Sequence, residues 1–523
     1  MKRRTRQILS QSYFDRNRLA AHHLRSFNQF LDDRLQQVVD QKGRIETNIG
    51  NQSADRSNAN TGNDSTEEPL SVQLGEIRVK TPEREEADGT KRSIYPQEAR
   101  LRDLTYAAPL YLTIQIITGG NQEPETVFKE SEVKVGELPI VVRSTACNLN
   151  GLPEDERLQS GEDPIDPGGY FIVNGNERVL MTTEDLVSNR ILTEYRTRYG
   201  TELEVAKTFS EHEGYRALTT VIRGRDGLLT VSFPGTPSGL DFSTVVRALG
   251  METDDEIART FSDRKNIVKF VLEQLEDVEV NNRDDAFDRI GAQIARSHDA
   301  EYRRNQAKDV LDQHLLPHLN DDLKQVSDQR YSKAVYLCRM AEACFELKLD
   351  WREPDDKDHY KNTRLKLAGE LMKDQFRAAL NRFGRDIKYY VERAHMRNRR
   401  LAISNMVRPE LISKRLKNSL STGNWVGGRS GVSQFLDQTN QISRLSHLRR
   451  VQSPLSRAQP HFEARDLHAT HWGRICPSET PEGENCGLVK NLAQGVEVSV
   501  EGDDREQLID DLIAVGLKRP SEY

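Results

Sequence analysis

Apolar side chains recur at close to helical spacing near the start of the chain. This spacing keeps one side of a helix apolar, so it predicts a helix over Tyr13–Gln41. The apolar positions are Phe14, Leu19, Leu24, Phe27, Leu31, Leu35 and Val38. Residues 47–69 then contain almost no apolar side chains, which predicts a flexible surface loop.

Short alternating or β-branched runs follow this polar stretch and predict an antiparallel sheet. The runs are Val72–Val79, Leu110–Ile117 and Gly136–Val142, and we expect a separate strand at Tyr170–Val173. A second strand-like stretch covers residues 191–234, where the pattern is clearest at Leu203–Ala206 and Leu228–Phe233.

Helical periodicity returns after residue 240 and predicts several further helices. We expect them near Phe242–Leu249, Asp254–Phe261, Asp284–Ser297, Asn305–Leu315, Lys333–Leu347 and Lys373–Arg400. Beyond Gly423 the chain becomes rich in loops. The pattern predicts a multidomain α+β protein, and 523 residues correspond to about three domains. Composition changes near residues 190 and 370 suggest where the domains divide.

Composition restricts the class of protein. No stretch of about 18 apolar residues occurs, so we expect no transmembrane helix and no membrane partner. The basic N-terminus lacks a following apolar segment and does not resemble a secretion signal, which leaves the cytoplasm as the expected location. None of the five cysteines forms a C-x-x-C pair, so we expect no metal site. A zinc site from Cys476, Cys486, His468 and His471 is disfavoured against free thiols and loop histidines.

Positive charge is concentrated in one part of an otherwise acidic chain. The net charge is −7, yet residues 373–465 contain 19 Lys and Arg against 6 Asp and Glu. A basic stripe on an acidic body favours phosphate binding, although a solvated basic helix is the alternative. Arginine outnumbers lysine 53 to 22 among abundant acids, which indicates a halophilic archaeon.

No catalytic motif accompanies this charge. The sequence lacks Walker A, G-x-S-x-G and His-Glu-x-x-His patterns, and it has no Asp-x-Asp-x-Asp cluster for two magnesium ions. We therefore expect no catalytic residue on this chain.

Several long sequence blocks resemble one family. They are SHLRR (446–450), LHATHWGRICPSETPEG (467–483), CGLVKNL (486–492), and the blocks at 95–106, 168–180 and 356–369. Together they resemble the second-largest subunit of cellular multi-subunit RNA polymerases. The length resembles the split archaeal form, in which the N-terminal half is called B″.

The resemblance implies a division into named domains. These are a discontinuous protrusion (1–190 plus 370–424), a lobe (191–369), a fork (425–500) and the start of an external domain (501–523). Residues 425–500 are called the fork segment below.

The resemblance also implies a function. We expect a subunit of a DNA-directed RNA polymerase that forms one side of the DNA cleft. Its expected partners are the C-terminal half (B′), the largest subunit, the other core subunits, the DNA template and the RNA–DNA hybrid. The catalytic Mg²⁺ would be held by the largest subunit, so the isolated chain should be inactive. The alternative is a stand-alone, non-catalytic nucleic-acid-binding or scaffold protein.

Seven residues are candidates for the functional site. A guanidinium group can bind phosphate oxygens without recognising the base sequence, which suits a polymerase. Six of the candidates are arginines: Arg429, Arg444, Arg449, Arg450, Arg457 and Arg465. The resemblance places Glu482 near the active centre, within the turn Glu479–Gly483, called the acidic turn below. Arg465 could instead pair with Glu463 or Asp466.

Neighbouring residues of these candidates have plainer expected roles. We expect Glu479 to cap local structure, and His468 and His471 to form local hydrogen bonds. Trp472 is expected in the core rather than as a base-stacking platform.

Overall fold

The computed structural model describes most of the chain. The described residues are 3–16, 19–47, 70–86, 88–118, 125–198, 200–237, 239–276, 280, 282–295, 299–320, 325–397, 402–500 and 505–517. Residues 48–69 of the loop predicted at 47–69 lie outside them, as does part of the predicted external domain. Mixed helices and antiparallel sheets confirm the α+β, multidomain prediction.

The described α-helices follow one another along the whole chain. They are α1 Arg3–Arg16, α2 Ala21–Gln29, α3 Leu35–Lys42, α4 Pro96–Leu101, α5 Glu154–Gln159, α6 Phe242–Ala248, α7 Asp254–Thr260, α8 Lys265–Glu276, α9 Arg283–Ile294, α10 Ala300–His314, α11 Val326–Lys348, α12 Ala368–Met396, α13 Ile403–Met406, α14 Glu410–Thr422, α15 Gln441–Leu448, α16 Phe462–Arg465 and α17 Arg505–Ala514. A π-helical stretch, Phe30–Arg34, joins α2 to α3.

The described strands form five sheets. They are β1 Arg44–Glu46, β2 Leu70–Val79, β3 Glu83–Glu85, β4 Lys91–Ser93, β5 Ala107–Thr118, β6 Glu125–Pro139, β7 Phe171–Val173, β8 Asn176–Leu180, β9 Thr182–Leu186, β10 Ile191–Arg198, β11 Thr201–His212, β12 Tyr215–Arg223, β13 Leu229–Ser232, β14 Leu240–Asp241, β15 Thr363–Lys366, β16 Ser433–Phe435, β17 Arg450–Gln452 and β18 Val489–Asn491.

Two sequence predictions about element boundaries were wrong. The single helix from Tyr13 does not form, because α1 ends at Arg16 and Ala20 lies in a turn before α2. The strand predicted at Gly136–Val142 is the last part of β6, Glu125–Pro139, and ends three residues before Val142. Helices α8 and α14 were not predicted.

The chain divides into two compact units, Met1–Asp185 with Leu365–Tyr523, and Leu186–Arg364. The protrusion, lobe, fork and external-domain divisions stay predictions.

The first unit is built around an antiparallel sheet with the order β1–β2–β5–β6. Helices α3, α12 and α14 pack beside it, and α2 packs against α12. Phe27 of α2 meets Phe171 of β7, a strand of another sheet in this unit, edge-on at 5.6 Å between ring centroids. Gly369 allows α12 to approach α2, because a Cβ there would overlap the carbonyl group of Ser26.

Two small sheets of the same unit carry the fork segment. Strand β16 pairs with β8 in the sheet β16–β8–β7. Strand β17 lies between β9, which runs parallel to it, and β18, which runs antiparallel. The fork segment is therefore attached to strands that come more than 200 residues earlier in the sequence.

The second unit contains a five-stranded antiparallel sheet with the order β10–β11–β12–β13–β14. Helices α6–α11 follow it in sequence and share its apolar core, which includes Val221, Phe242 and Phe345. Asp241 begins α6 by accepting the backbone N–H of Thr244 at 3.0 Å, the usual role of aspartate at a helix start. No helix among the described residues is long and apolar enough to cross a membrane.

Candidate nucleic-acid interface

A short helix and a buried strand position the first arginines of the fork segment. Helix α15 begins after Asn440, whose side chain accepts the backbone N–H of Ser443 at 2.8 Å. It ends at Leu448, and β17 starts two residues later. Arg449 and Arg450 therefore occupy the junction. Successive side chains of a strand point to opposite faces, and the next residue, Val451, is fully buried.

Arg449 lies inside the protein and is only 9% exposed. Its guanidinium donates to the carbonyl oxygens of Leu19 at 2.7 Å, Ala493 at 2.6 Å and Leu492 at 3.5 Å. Its own carbonyl accepts the N–H of Leu492 at 3.0 Å. Arg449 therefore joins three segments of the chain, and its donors do not face outward for a phosphate.

Two buried histidines meet the same junction from α2. The Nε2 atoms of His22 and His23 lie 3.1 and 2.7 Å from the carbonyl oxygen of Leu448. Burial lowers the pKa of His22 well below its ordinary value and that of His23 to about 4. Both rings are therefore neutral at pH 7, as their position near the cationic Arg449 requires.

His447 is a third buried histidine at this place. Its Nδ1 accepts the N–H of Asp437 at 3.1 Å, so Nε2 carries the proton and donates to Gln434 at 3.2 Å. Burial, followed by the nearby charge of Arg450, lowers the pKa of His447 to about 4. The ring fixes α15 against the segment around β16.

Arg450 and Arg457 differ from Arg449 in what they contact. Neither guanidinium forms a hydrogen bond or ion pair with any residue that the structure describes, and Arg457 is exposed. Both line a cavity of about 340 Å³ together with Gln434, Pro481 and Asn485. Arg450 also lines a neighbouring cavity of about 560 Å³ that includes Glu479. Two arginines with free donors thus lie beside the acidic turn.

Arg465 is half-buried, and its side chain is fully used within the fork segment. Its guanidinium donates to the carbonyl groups of five residues, Arg457, Gln459, Pro460, Glu484 and Cys486, at 2.7–3.3 Å. The alternative ion pair with Glu463 or Asp466 does not form. The guanidinium of Arg465 binds backbone carbonyl groups instead of those carboxylates.

Arg429 and Arg444 are each directed towards an acid of the same unit. Arg429 Nη2 lies 2.5 Å from Asp185 Oδ2, with both side chains largely buried. Arg444 Nη1 lies 3.9 Å from Asp166 Oδ1, and 19% of its side chain is exposed. The sequence analysis missed both acids, because Asp185 precedes Arg429 by 244 residues and no local pattern joins them.

The acidic turn is held by side chains on both sides. Ser446 donates its hydroxyl to Glu479 at 2.5 Å, so Glu479 links α15 to the turn rather than capping a helix. The Thr480 hydroxyl donates to the Val489 carbonyl and accepts the N–H of Gly487, both at 2.9 Å. Glu482 is exposed and precedes the 3₁₀ turn Gly483–Asn485 without a side-chain hydrogen bond to it.

His468 and His471 of the fork segment form local contacts. His468 Nδ1 accepts the N–H of Thr470 at 3.1 Å, and so begins the 3₁₀ turn Ala469–His471. His471 is buried, and burial lowers its pKa. Among the described residues, no group of three or more His, Cys, Asp and Glu side chains is arranged to hold a metal ion.

The sequence analysis expected Trp472 in the core, and this expectation was wrong. Its side chain is 88% exposed. The residue directly follows a 3₁₀ turn whose last member, His471, takes the buried position. The hydrophobicity of Trp472 alone predicted its burial, but the turn directs the smaller ring of His471 inward instead.

Comparison with known proteins decides the family. The RNA polymerase beta subunit family matches residues 18–414, and RNA polymerase Rpb2, domain 3, matches residues 434–498. The chain belongs to the RNA polymerase beta subunit family. This confirms the predicted identity as a subunit of DNA-directed RNA polymerase, a nucleotidyltransferase complex, and does not favour a stand-alone scaffold.

Three similar proteins come from archaea. DNA-directed RNA polymerase subunit Rpo2N of Halobacterium salinarum is 54% identical over 510 residues, which cover 98% of this chain and 95% of the relative. Rpo2N of Methanocaldococcus jannaschii is 46% identical, covering 95% and 96%. Subunit Rpo2 of Saccharolobus solfataricus is 44% identical over 95% of this chain but only 42% of that longer relative.

Proposed function

We propose that this chain is the N-terminal half, B″, of a split second-largest polymerase subunit. Its partners are the C-terminal half B′, the largest subunit and the other core subunits. The match to Rpo2N relatives over nearly their full length, and to less than half of Rpo2, supports this division.

The fork segment contacts the phosphate backbone of the DNA template or the RNA–DNA hybrid through Arg450 and Arg457. The observation that carries this proposal is their guanidinium groups, which have no hydrogen bond or ion pair within the described chain and line one cavity. Two neighbouring arginines with unused N–H donors suit phosphate binding, because each offers several donors to phosphate oxygens and does not recognise the bases. Arg429, Arg444, Arg449 and Arg465 support the fold instead, through the contacts given above.

Glu482 contributes from the acidic turn, near the active centre. Pro481 lines the same cavity as the two arginines, so the turn that carries Glu482 lies beside them. An exposed carboxylate there can orient cationic groups or water around an incoming nucleotide.

The catalytic Mg²⁺ belongs to another subunit. The described residues of this chain lack the clustered carboxylates that two-metal nucleotidyl transfer needs, so they do not fit the ion. The contribution of this chain is then to hold and shape nucleic acid, and by itself it adds no nucleotides.

The source and location follow the same reasoning. We infer a halophilic archaeon and a cytoplasmic complex. The excess of arginine over lysine, the acidic net charge and the similarity to a Halobacterium protein support this inference.

The experiment measures salt dependence in the assembled polymerase. We expect Arg450→Gln with Arg457→Gln to weaken retention of a template–hybrid scaffold. The slope of log affinity against log salt should fall by about 0.7–0.9 for each lost contact. Arg474→Gln is the matched control, because Arg474 is an exposed arginine of the same segment that donates to the Thr470 carbonyl. An unchanged slope in the double variant would contradict the proposal.

A further inference from the structure

We infer that Arg465 is the positioning residue of the fork segment. Its guanidinium holds the loop that carries Arg457 and the acidic turn that carries Glu482 in one fixed arrangement. The inference rests on the proposed function, in which Glu482 acts near the active centre. It differs from the sequence-based expectation that Arg465 itself binds phosphate.

The hydrogen bonds of Arg465 account for every donor that it has. Nε donates to the carbonyl of Pro460 at 2.7 Å. Nη1 donates to Glu484 at 2.8 Å and Cys486 at 2.7 Å, and Nη2 donates to Arg457 at 3.2 Å and Gln459 at 3.3 Å. A guanidinium has five N–H groups, and five carbonyls receive them. No donor is left for a phosphate.

These acceptors belong to two separate stretches of the fork segment. Three of them are the carbonyls of Arg457, Gln459 and Pro460, so they belong to the loop that begins with Arg457 itself. The other two, Glu484 and Cys486, directly follow the acidic turn. One planar cation therefore connects the two elements that carry the proposed functional side chains.

The main chain of Arg465 supports the same contact independently. Gly487 has φ +72°, and a Cβ on it would overlap the backbone of Arg465. Only glycine suits this position, because any other residue would strain a backbone with positive φ and its Cβ would not fit beside Arg465. The Thr480 hydroxyl accepts the Gly487 N–H and donates to the carbonyl of Val489, the first residue of β18, both at 2.9 Å, and so anchors the turn to that strand.

Glu482 depends on this support because its own side chain forms no hydrogen bond or ion pair with any residue in the described part of the chain. Its carboxylate does not cap the 3₁₀ turn that it precedes. The direction of the side chain is then set by the main chain of residues 480–487, which Arg465 and Thr480 hold. Losing the guanidinium should free the turn while leaving the carboxylate present.

Lysine cannot replace this arrangement. Its ammonium has the same charge but three donors and no planar fork, so it cannot serve five carbonyls in two stretches. A phosphate contact would tolerate Arg465→Lys much better than a positioning role would. This difference separates the two roles.

The first measurement is single-nucleotide addition by the assembled polymerase. We expect Arg465→Lys and Arg465→Ala to slow addition similarly, by about 10- to 100-fold, as misplacement of a catalytic-site group does. Combining Arg465→Ala with Glu482→Ala should be no slower than the slower single variant, because both remove the same placed carboxylate. A near-wild-type rate for Arg465→Lys, or additive losses in the double variant, overturns the inference.

The second measurement is amide hydrogen exchange of residues 478–489 in the same complexes. We expect exchange to rise about tenfold or more in both Arg465 variants, since several hydrogen bonds to a charged donor are lost. Arg474→Ala should leave it unchanged. Unchanged exchange in the Arg465 variants overturns the inference.

The two measurements separate the inference from the proposed function. If Glu482→Ala alone adds nucleotides at the wild-type rate, the proposed role of Glu482 fails. Exchange then decides by itself whether Arg465 holds the turn.

Discussion

The Nη1 atom of Arg449 donates a hydrogen bond to the carbonyl oxygen of Leu19 at 2.7 Å, across 430 residues of sequence. The same guanidinium donates to Ala493 at the far end of the fork segment. One buried cation thus joins the beginning of α2 to one end of the strand pair β17–β18, where β17 begins and β18 ends. An arginine that the sequence presents as one of a basic cluster is a connecting element of the fold.

Arg449→Ala should destabilise the first unit without altering nucleic-acid affinity through charge. The change removes the guanidinium donors from the carbonyls of Leu19, Leu492 and Ala493, at a cost of about 2–4 kcal/mol. Thermal unfolding of the purified chain measures the loss. The salt slope of the reconstituted polymerase should stay that of the wild type. A reduced slope with unchanged stability would instead assign Arg449 to phosphate binding.

Acid should weaken the junction between α2 and the fork segment. Burial lowers the pKa of His23 and His447 to about 4 in the folded chain, whereas an unfolded histidine titrates near ~6.5. The unfolded chain therefore binds more protons between these values. The stability due to each neutral ring is complete above about pH 6.5 and is lost as the pH falls towards 4, by up to about 1.4 kcal/mol per pH unit.

Replacing both rings tests this pH dependence. The double variant His23→Gln, His447→Gln should lose less stability than the wild type when unfolding at pH 5 is compared with unfolding at pH 7. His395→Gln, in the last turn of α12, is the control. Equal acid sensitivity in the double variant and the wild type would show that other groups govern acid unfolding.

The two tryptophans of the first unit should respond oppositely to substitution. Trp472 is 88% exposed, so Trp472→Ser should change the free energy of unfolding by less than about 0.5 kcal/mol. Trp425 is 6% exposed and donates its Nε1–H to the Leu371 carbonyl at 2.9 Å. Trp425→Ser should therefore cost about 3–5 kcal/mol.

Thermal unfolding and fluorescence quenching by an added solute measure both effects. Removing Trp472 should abolish most of the quenchable emission of the first unit, whereas removing Trp425 should not. A large loss of stability in Trp472→Ser would restore the original expectation of a core residue.

The sequence by itself determined the fold class, several of the helices and strands, and the family. Periodicity and β-branched runs are local, so α6, α7, β5 and β2 could be predicted within a few residues of their bounds. The blocks at 446–450, 467–483 and 486–492 are also local, and they pointed to RNA polymerase before any contact was known.

Only the tertiary structure decided what each fork arginine does. The six candidates have identical donors, and composition cannot distinguish them. Arg449 donates to the carbonyls of Leu19 and Ala493, and Arg429 pairs with Asp185, because folding brings together segments that are far apart in the sequence. Arg450 and Arg457 keep free donors because no described group is brought within reach. Hydrogen-bond partners are set by long-range packing, and a linear pattern contains no record of that packing.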